Sequence, residues 1–323
     1  MKLMKISLFV LGLATCVLSC NKDDDNDDDS TYEVRDRTEQ QAEDDQILLD
    51  YLETHYYNAS DFDGSNPDPK SEDVVITELQ EGDVLPVGHK LIIDDVITKD
   101  VNFADTDYKI YYLDLNKNVD PNSSSPYFCD NAVTNYTGFT LDGSVFDRST
   151  NGAFNQDLLN LITAWQKVIP EFHTAETFNE NADGTSNYVN HGVGVMFVPS
   201  GLGYYAVGST NIPAYTCIAF SFDLLQMFEN DHDGDGVPSH LEDINGDGQF
   251  TYNSAVDVFD GDDTDGDGIV NAYDGDDDGD GVPTIYEDID GDGDPTNDIG
   301  KNGIPKFLDP EETEANYDVD TTL

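Results

Sequence analysis

The feature of this sequence that most restricts its folding is a run of aspartates at alternate positions, broken by glycine. Asp231, Asp233, Asp235 and Gly236 lead on to Val237, Ser239 and Glu242. The same order returns as Asp263, Asp265, Asp267, Gly268, Ile269, Asn271 and Asp274, and again as Asp276, Asp278, Asp280, Gly281, Val282, Thr284 and Glu287. Partial copies begin at Asp243, with Asn245, Asp247 and Gly248, and at Asp288, with Asp290, Asp292 and Gly293. From Asp231 onward the chain has 29 acidic and two basic residues, half of a net charge of -54. Carboxylates this dense repel one another, so the segment needs cations to close. The spacing offers oxygens at positions 1, 3, 5, 7 (main chain), 9 and 12, with glycine at 6 for a sharp turn, which is the ligand order of a calcium loop. The expected metal residues are therefore Asp231, Asp233, Asp235, Val237 and Glu242; Asp263, Asp265, Asp267, Ile269 and Asp274; and Asp276, Asp278, Asp280, Val282 and Glu287. The expected cofactor is structural Ca2+, and the folding of residues 229–310 should depend on it. A disordered acidic tail is the bland alternative; three full matches favour the ion-binding reading.

The loops start at 231 and 243, and at 263, 276 and 288. That leaves no room for flanking helices, so paired EF-hands are excluded. The run resembles thrombospondin type-3 and related bacterial repeats. The resemblance implies a chain wrapped on a row of ions, irregular and with little core. Val237, Ile269 and Val282, at one loop position, supply what packing there is. Residues 311–323 read as a loose acidic tail.

A second signal lies between Asn135 and Asp147 (NYTGFTLDGSVFD). Asp142-Gly143 between apolar runs predicts a hairpin. An aromatic at each end and a terminal Asp suggest an aromatic-lined pocket with a carboxylate at its rim. The string resembles the FKBP-type peptidyl-prolyl isomerases. Two later segments follow in that family's order: Leu161-Ile162-Thr163-Ala164-Trp165, and Val198 to Tyr204 with Ile212-Pro213 and Ile218 to Leu225. The resemblance covers about residues 96–228. It implies an α+β fold, an antiparallel sheet wrapped on a short helix, joined here to the irregular repeats.

By that resemblance Trp165 floors the pocket. Tyr136, Phe146, Leu161, Ile162, Tyr204 and Phe220 wall it, with Phe154 a further candidate. Asp147 stands at the rim, and the Ile162 N–H receives a ligand carbonyl. No catalytic cofactor is implied. Taken singly, each aromatic reads as ordinary core; their joint order with Asp147 is what singles them out. Ala164 stands where the family has Gly, and Tyr205 follows Tyr204 where the family has Gly, so the flap must turn differently. The extra Asn/Asp/Gly-rich residues between Phe172 and Val193 read as an extended surface loop.

At the start, Lys2 and Lys5, the apolar Ile6–Val17 and Leu18-Ser19-Cys20 read as an export signal over residues 1–19. The apolar stretch is short for a span of ~20 residues. The Leu-Ser-Cys ending resembles a bacterial lipobox, which implies lipidation at Cys20 and a membrane anchor there. Lys22-Asp23-Asp24 resembles the export signal of Bacteroidetes surface lipoproteins. The expected place is thus the cell envelope, as an outer-membrane lipoprotein, periplasmic or surface-exposed. Residues 20–37 form an acidic tether. Within 38–95, Ile47, Leu48, Tyr51, Leu52, His55 and Tyr56 mark one helix face, packed on the next domain or serving as a dimerisation arm. Oligomeric state is left open. Strands are expected at Val74–Thr77, Leu91–Ile97 and Lys109–Leu115. Cys129 and Cys217 are expected to stay unpaired.

The charge excludes nucleic acid as a partner. No HExxH pattern supports a zinc protease, and no glycine loop suits a phosphate. Two functions remain. One is an envelope isomerase acting on proline-containing polypeptides, with the repeats as spacer or docking arm. The other is a calcium-stiffened surface adhesin whose FKBP-like domain binds without turnover.

Overall fold

The computed structural model describes residues 34–181, 185–252 and 261–318. The chain divides into two units, Met1–Val34 and Arg35–Leu323. The export signal and Cys20 lie outside the described residues, and no helix among those described is long and apolar enough to cross a membrane. All the described helices and strands belong to the second unit.

Helix α1 (Arg37–Thr54) begins where the Asp36 carboxylate accepts the backbone N–H groups of Thr38 and Glu39, two donors that the first turn would leave unsatisfied. Leu48, Tyr51 and Leu52 are buried on one face, whereas Ile47 is exposed. The expected helical face ran too far. His55 and Tyr56 belong to strand β1 (His55–Tyr57), which pairs with β2 (Ile76–Glu78) and β3 (Lys90–Leu91). The tether was also drawn too long, because Arg35 and Arg37 contact the folded domain.

The main sheet has six antiparallel strands. Its members are β4 (Ile97–Phe103), β5 (Thr106–Asp114), β6 (Asn131–Thr140), β7 (Val145–Asp157), β10 (Gly192–Val198) and β11 (Ile218–Phe228), in the order β4-β5-β10-β11-β6-β7. Strands β8 (Thr177–Glu180) and β9 (Ser186–Val189) form a separate hairpin, where the residue types suggested only a longer loop.

Central strands here are apolar on both faces because each face carries a layer. Along β10, Met196 and Val198 join one cluster while Val193, Val195 and Phe197 join the other. The first cluster packs on helix α2 (Thr163–Val168) and holds Trp165, Phe172, Phe220 and Phe222. The second packs on α1 through Leu48, Tyr51 and Leu52. Burying each leucine there contributes about 1.5–3 kcal/mol. Cys129 and Cys217 are both buried and free.

Residues 229–252 and 261–318 run as turns with short 3-10 segments. In each full loop two hydrogen bonds tie position 9 back toward the start. Its backbone N–H donates to the carbonyl before position 1: Ser239 to Asn230 at 2.9 Å, Asn271 to Asp262 at 2.6 Å, Thr284 to Gly275 at 2.9 Å. Its side-chain oxygen accepts from the position-2 N–H: His232 to Ser239 at 3.1 Å, Thr264 to Asn271 at 2.9 Å, Asp277 to Thr284 at 3.4 Å. Ser239, Asn271 and Thr284 are buried. Each position-9 oxygen is thus held by a bond within its own loop. Gly236, at position 6, sits at φ +99°, open to glycine alone without strain.

Val237 and Val282 are buried, but Ile269 is 45% exposed and does not share their packing. The tail beyond Pro310 is not loose as far as it is described. Glu312 is buried against Lys301 and Lys306, and the Asn316 N–H donates to the Tyr286 carbonyl at 2.7 Å.

The repeats dock on the sheet domain. Lys167 Nζ of α2 donates to the Gly248 carbonyl at 2.6 Å, and Asn230 Nδ2 donates to the Cys129 carbonyl at 2.9 Å. The rings of Tyr127 and His240 stack at 3.6 Å.

Candidate functional site

The hairpin β6–β7 and the start of α2 bring the expected aromatic residues together. Trp165 is 4% exposed. Its ring centroid lies 5.4 Å from Tyr136 and 5.2 Å from Phe220, both edge-on. Edge-to-face geometry places the positive ring edge on a negative face and fixes the rings against each other. Phe146 meets Phe220 at 5.5 Å and perpendicular. Phe154 meets Tyr136 at 4.9 Å. It is aimed inward by a bulge that shifts the register between Thr134 and Tyr136. Leu161, Ile162 and Tyr204 are half-buried and pack on the same cluster.

Gly138 explains how the walls approach so closely. A Cβ there would stand 2.6 Å from the Phe146 ring and 2.8 Å from Phe220, so only glycine leaves room for both. Asp147 is exposed at the rim. The Tyr136 hydroxyl donates to its Oδ2 at 2.7 Å, and the Arg148 N–H to its Oδ1 at 2.8 Å. Burial and the adjacent Asp147 charge raise the Tyr136 phenol well above its ordinary value, so it stays a donor. Ala164 is fully buried within α2.

The flap is held from α1 and from Arg35 just before it. Tyr205 takes a left-handed φ of +42° and Tyr215 one of +60°. The Tyr205 hydroxyl donates to the Arg35 carbonyl at 2.5 Å, and the Arg37 guanidinium lies 4.2 Å from the Tyr205 ring centre. Deeper in, the Asp44 carboxylate accepts the Ser200 N–H at 2.8 Å and hydroxyl at 2.6 Å. Tyr205 is thus a clamped ring, held at its hydroxyl and across its face.

In the repeats, acids converge as Asp231/Asp233/Asp235, Asp263/Asp265/Asp267 and Asp276/Asp278/Asp280, with oxygens in each group within 4.8 Å of one another. The first and third loops are built around buried acids. Asp233 Oδ2, Asp235 Oδ2, Asp276 Oδ1, Asp278 Oδ2, Asp280 Oδ2 and both oxygens of Glu242 and Glu287 are buried without a hydrogen-bond partner. Burial, with neighbouring acids, pushes Glu242 up to about 10, Glu287 to about 9 and Asp278 to about 7. Unpartnered buried carboxylates are costly, and a hard divalent cation that takes oxygen ligands fits them. The middle loop is more open: Asp265 and Asp267 are exposed, and Asp274 accepts the Asp276 N–H at 3.1 Å.

A family model described as BamM C-terminal matches residues 232–287. Its span starts inside the first acidic loop and ends on Glu287. The structural neighbours of the chain include FKBP-type isomerases. One is a peptidyl-prolyl cis-trans isomerase from Pseudomonas syringae pv. tomato, at 19% identity and TM-score 0.29, over 40% of this chain and 80% of that one. Another is FkpA from Escherichia coli, at 21% identity and TM-score 0.29, over 36% of this chain and 47% of that one. AtFKBP13 matches at 19% identity and TM-score 0.27, over 37% of this chain and 93% of that one. No curated protein matches the chain in sequence.

Two acids escaped the loop template. Asp298 joins Asp288 and Asp290 in one cluster, and Asp277 joins Asp235 and Glu242 in another. The unbroken triplet Asp276-Asp277-Asp278 was the available signal. Asp277 sits in the turn that the Gly279 N–H closes on the Asp276 carbonyl at 3.0 Å, and its carboxylate meets Asp235 and Glu242.

Proposed function

We propose that this chain is a peptidyl-prolyl cis-trans isomerase acting on proline-containing polypeptides at a bacterial cell envelope. The observation that carries the reading is the Trp165 floor edged by Tyr136 and Phe220 at 5.4 and 5.2 Å, with an exposed Asp147 held at the lip by the Tyr136 hydroxyl. Rotation about a peptide bond has a barrier of ~18–20 kcal/mol because resonance gives the C–N bond double character. Twisting removes that resonance and leaves a less polar carbonyl and a pyramidal nitrogen. An apolar hollow poor in water therefore favours the twisted form over the planar amide. Trp165 would seat the proline ring, Phe146, Ile162, Tyr204 and Phe220 would enclose it, and Asp147 would lie beside the turning carbonyl. No nucleophile or proton carrier is needed.

The same proposal gives residues 229–310 structural calcium, held by the acids of the three full loops, and makes them a spacer or docking arm. What supports it is the set of buried carboxylate oxygens without partners. The envelope location, as an outer-membrane lipoprotein anchored at Cys20, rests on the Leu-Ser-Cys ending of the export signal.

The test is an isomerase assay on a Phe-Pro peptide with the full-length protein, Trp165→Ala and Asp147→Asn, with peptide affinity measured alongside. A rate above background that falls in both variants supports turnover. One observation favours binding alone: the flap is clamped by Arg35 and Arg37 through Tyr205. Affinity without any rate, in a folded protein, would select that second reading.

A further inference from the structure

Asp277 occupies position 2 of the third loop, a place with no ligand role in a self-contained calcium loop. Its carboxylate nevertheless lies with those of Asp235 and Glu242 of the first loop, with oxygens within 4.8 Å of one another. All three residues are buried, Glu242 completely and Asp277 to 1% exposure. Both oxygens of Glu242, Oδ1 of Asp277 and Oδ2 of Asp235 have no hydrogen-bond partner. The other oxygen of Asp277 accepts from the Thr284 hydroxyl at 3.1 Å, which holds the carboxylate in place without neutralising it. Three acids this close and this dry cannot all stay ionised unless a cation sits among them.

We infer that Asp277 of the third loop joins Asp235 and Glu242 of the first in holding one divalent cation, so that this ion staples the two loops together. The inference rests on the calcium reading of the repeats and goes beyond it, because no single loop contains the site. Asp235 belongs also to the cluster of Asp231 and Asp233, so the shared ion stands at the inner end of the first loop's own ligands. An oxygen-only, all-acid donor set suits Ca2+ and gives no preference to softer metals. Such an ion closes the chain between Glu242 and Asp277 into one loop, a constraint that no local pair of acids could impose.

The test follows hydrogen exchange of the full-length protein during a titration with calcium alone. The isosteric variant Asp277→Asn removes one charge from the shared site and leaves Asp276, Asp278, Asp280 and Glu287 intact. It is expected to raise the calcium needed to protect residues 231–242 by about tenfold or more, with the requirement of residues 276–287 little changed. Asp267→Asn removes one charge from the middle loop, outside the shared site, and should leave the first loop's requirement near that of the parent. An unchanged first loop in Asp277→Asn overturns the inference. So does a loss shared equally by residues 276–287, since Asp277 would then serve only its own loop, or one reproduced by Asp267→Asn, since total charge alone would then account for it. If the parent protein gains no protection in any loop, it is the calcium reading that fails, a distinct result.

Discussion

Around Trp165, burial takes ring surface out of water; around Glu242, it takes carboxylates out of water. The first transfer is favourable in itself and the second is unfavourable until a counter-charge arrives. The sheet domain, with apolar clusters on both faces and α1 and α2 as covers, therefore holds its shape from its own side chains. The repeats hold theirs through main-chain turns and through acids that call for a partner. Two parts of one chain thus draw stability from opposite kinds of burial, and they meet at Lys167, which reaches from α2 to the Gly248 carbonyl.

The largest expected break in that comparison is chelation. At pH 9, removing calcium should erase hydrogen-exchange protection across residues 231–312 while the six-stranded sheet keeps its own. Equal protection with and without chelator would show that the repeats stand unaided. Trp165→Ala should cost about 3–5 kcal/mol through lost contacts and a cavity, read by denaturant unfolding of the sheet, and should lower isomerase activity more than Phe154→Leu.

Acidity sharpens the contrast. Folded-state values of about 7 for Asp278, 9 for Glu287 and 10 for Glu242 lie above the ordinary carboxylate range near 4. The folded repeats therefore bind more protons than the unfolded chain. In chelator, the protons' contribution to stability is full below pH ~4 and is lost as the pH rises through those values. Protection at pH 5 should exceed that at pH 9 in chelator, and circular dichroism over that range checks it.

Lys167→Met should weaken the junction by about 1.5–3 kcal/mol, the range for a hydrogen bond from a charged group. The loss should appear as faster exchange in residues 243–252. The smallest effect is expected for Tyr136→Phe. It removes one bond to an exposed carboxylate, for about 1 kcal/mol or less, and should lower turnover more than it lowers the unfolding midpoint.

The hairpin was legible because turn chemistry and alternation are local signals, whereas the short helix and the aromatic set were expected from the family resemblance. Asp142-Gly143 marks the turn, and Tyr136, Phe146, Trp165 and Phe220 converge as their order implied. The helix face was misjudged at His55 and Tyr56 because a three- and four-residue spacing does not reveal where the chain straightens to pair with Ile76–Glu78. The β8–β9 hairpin was missed because polar residues dominate its strands. In the repeats the acid spacing showed the loops. The bonding of Ser239, Asn271 and Thr284 to position 2 depends on main-chain geometry, which no residue type announces. Asp277 was hidden for a different reason: its partners are 35 and 42 residues away in sequence, beyond any local template.

The tie between positions 2 and 9 is internal to each loop. Taken alone, it would leave each loop a bead free of its neighbours. The carboxylate that leaves the third bead for the first ends that freedom: from there on the array has a fixed count and order, and inserting one extra bead between them would pull the join apart.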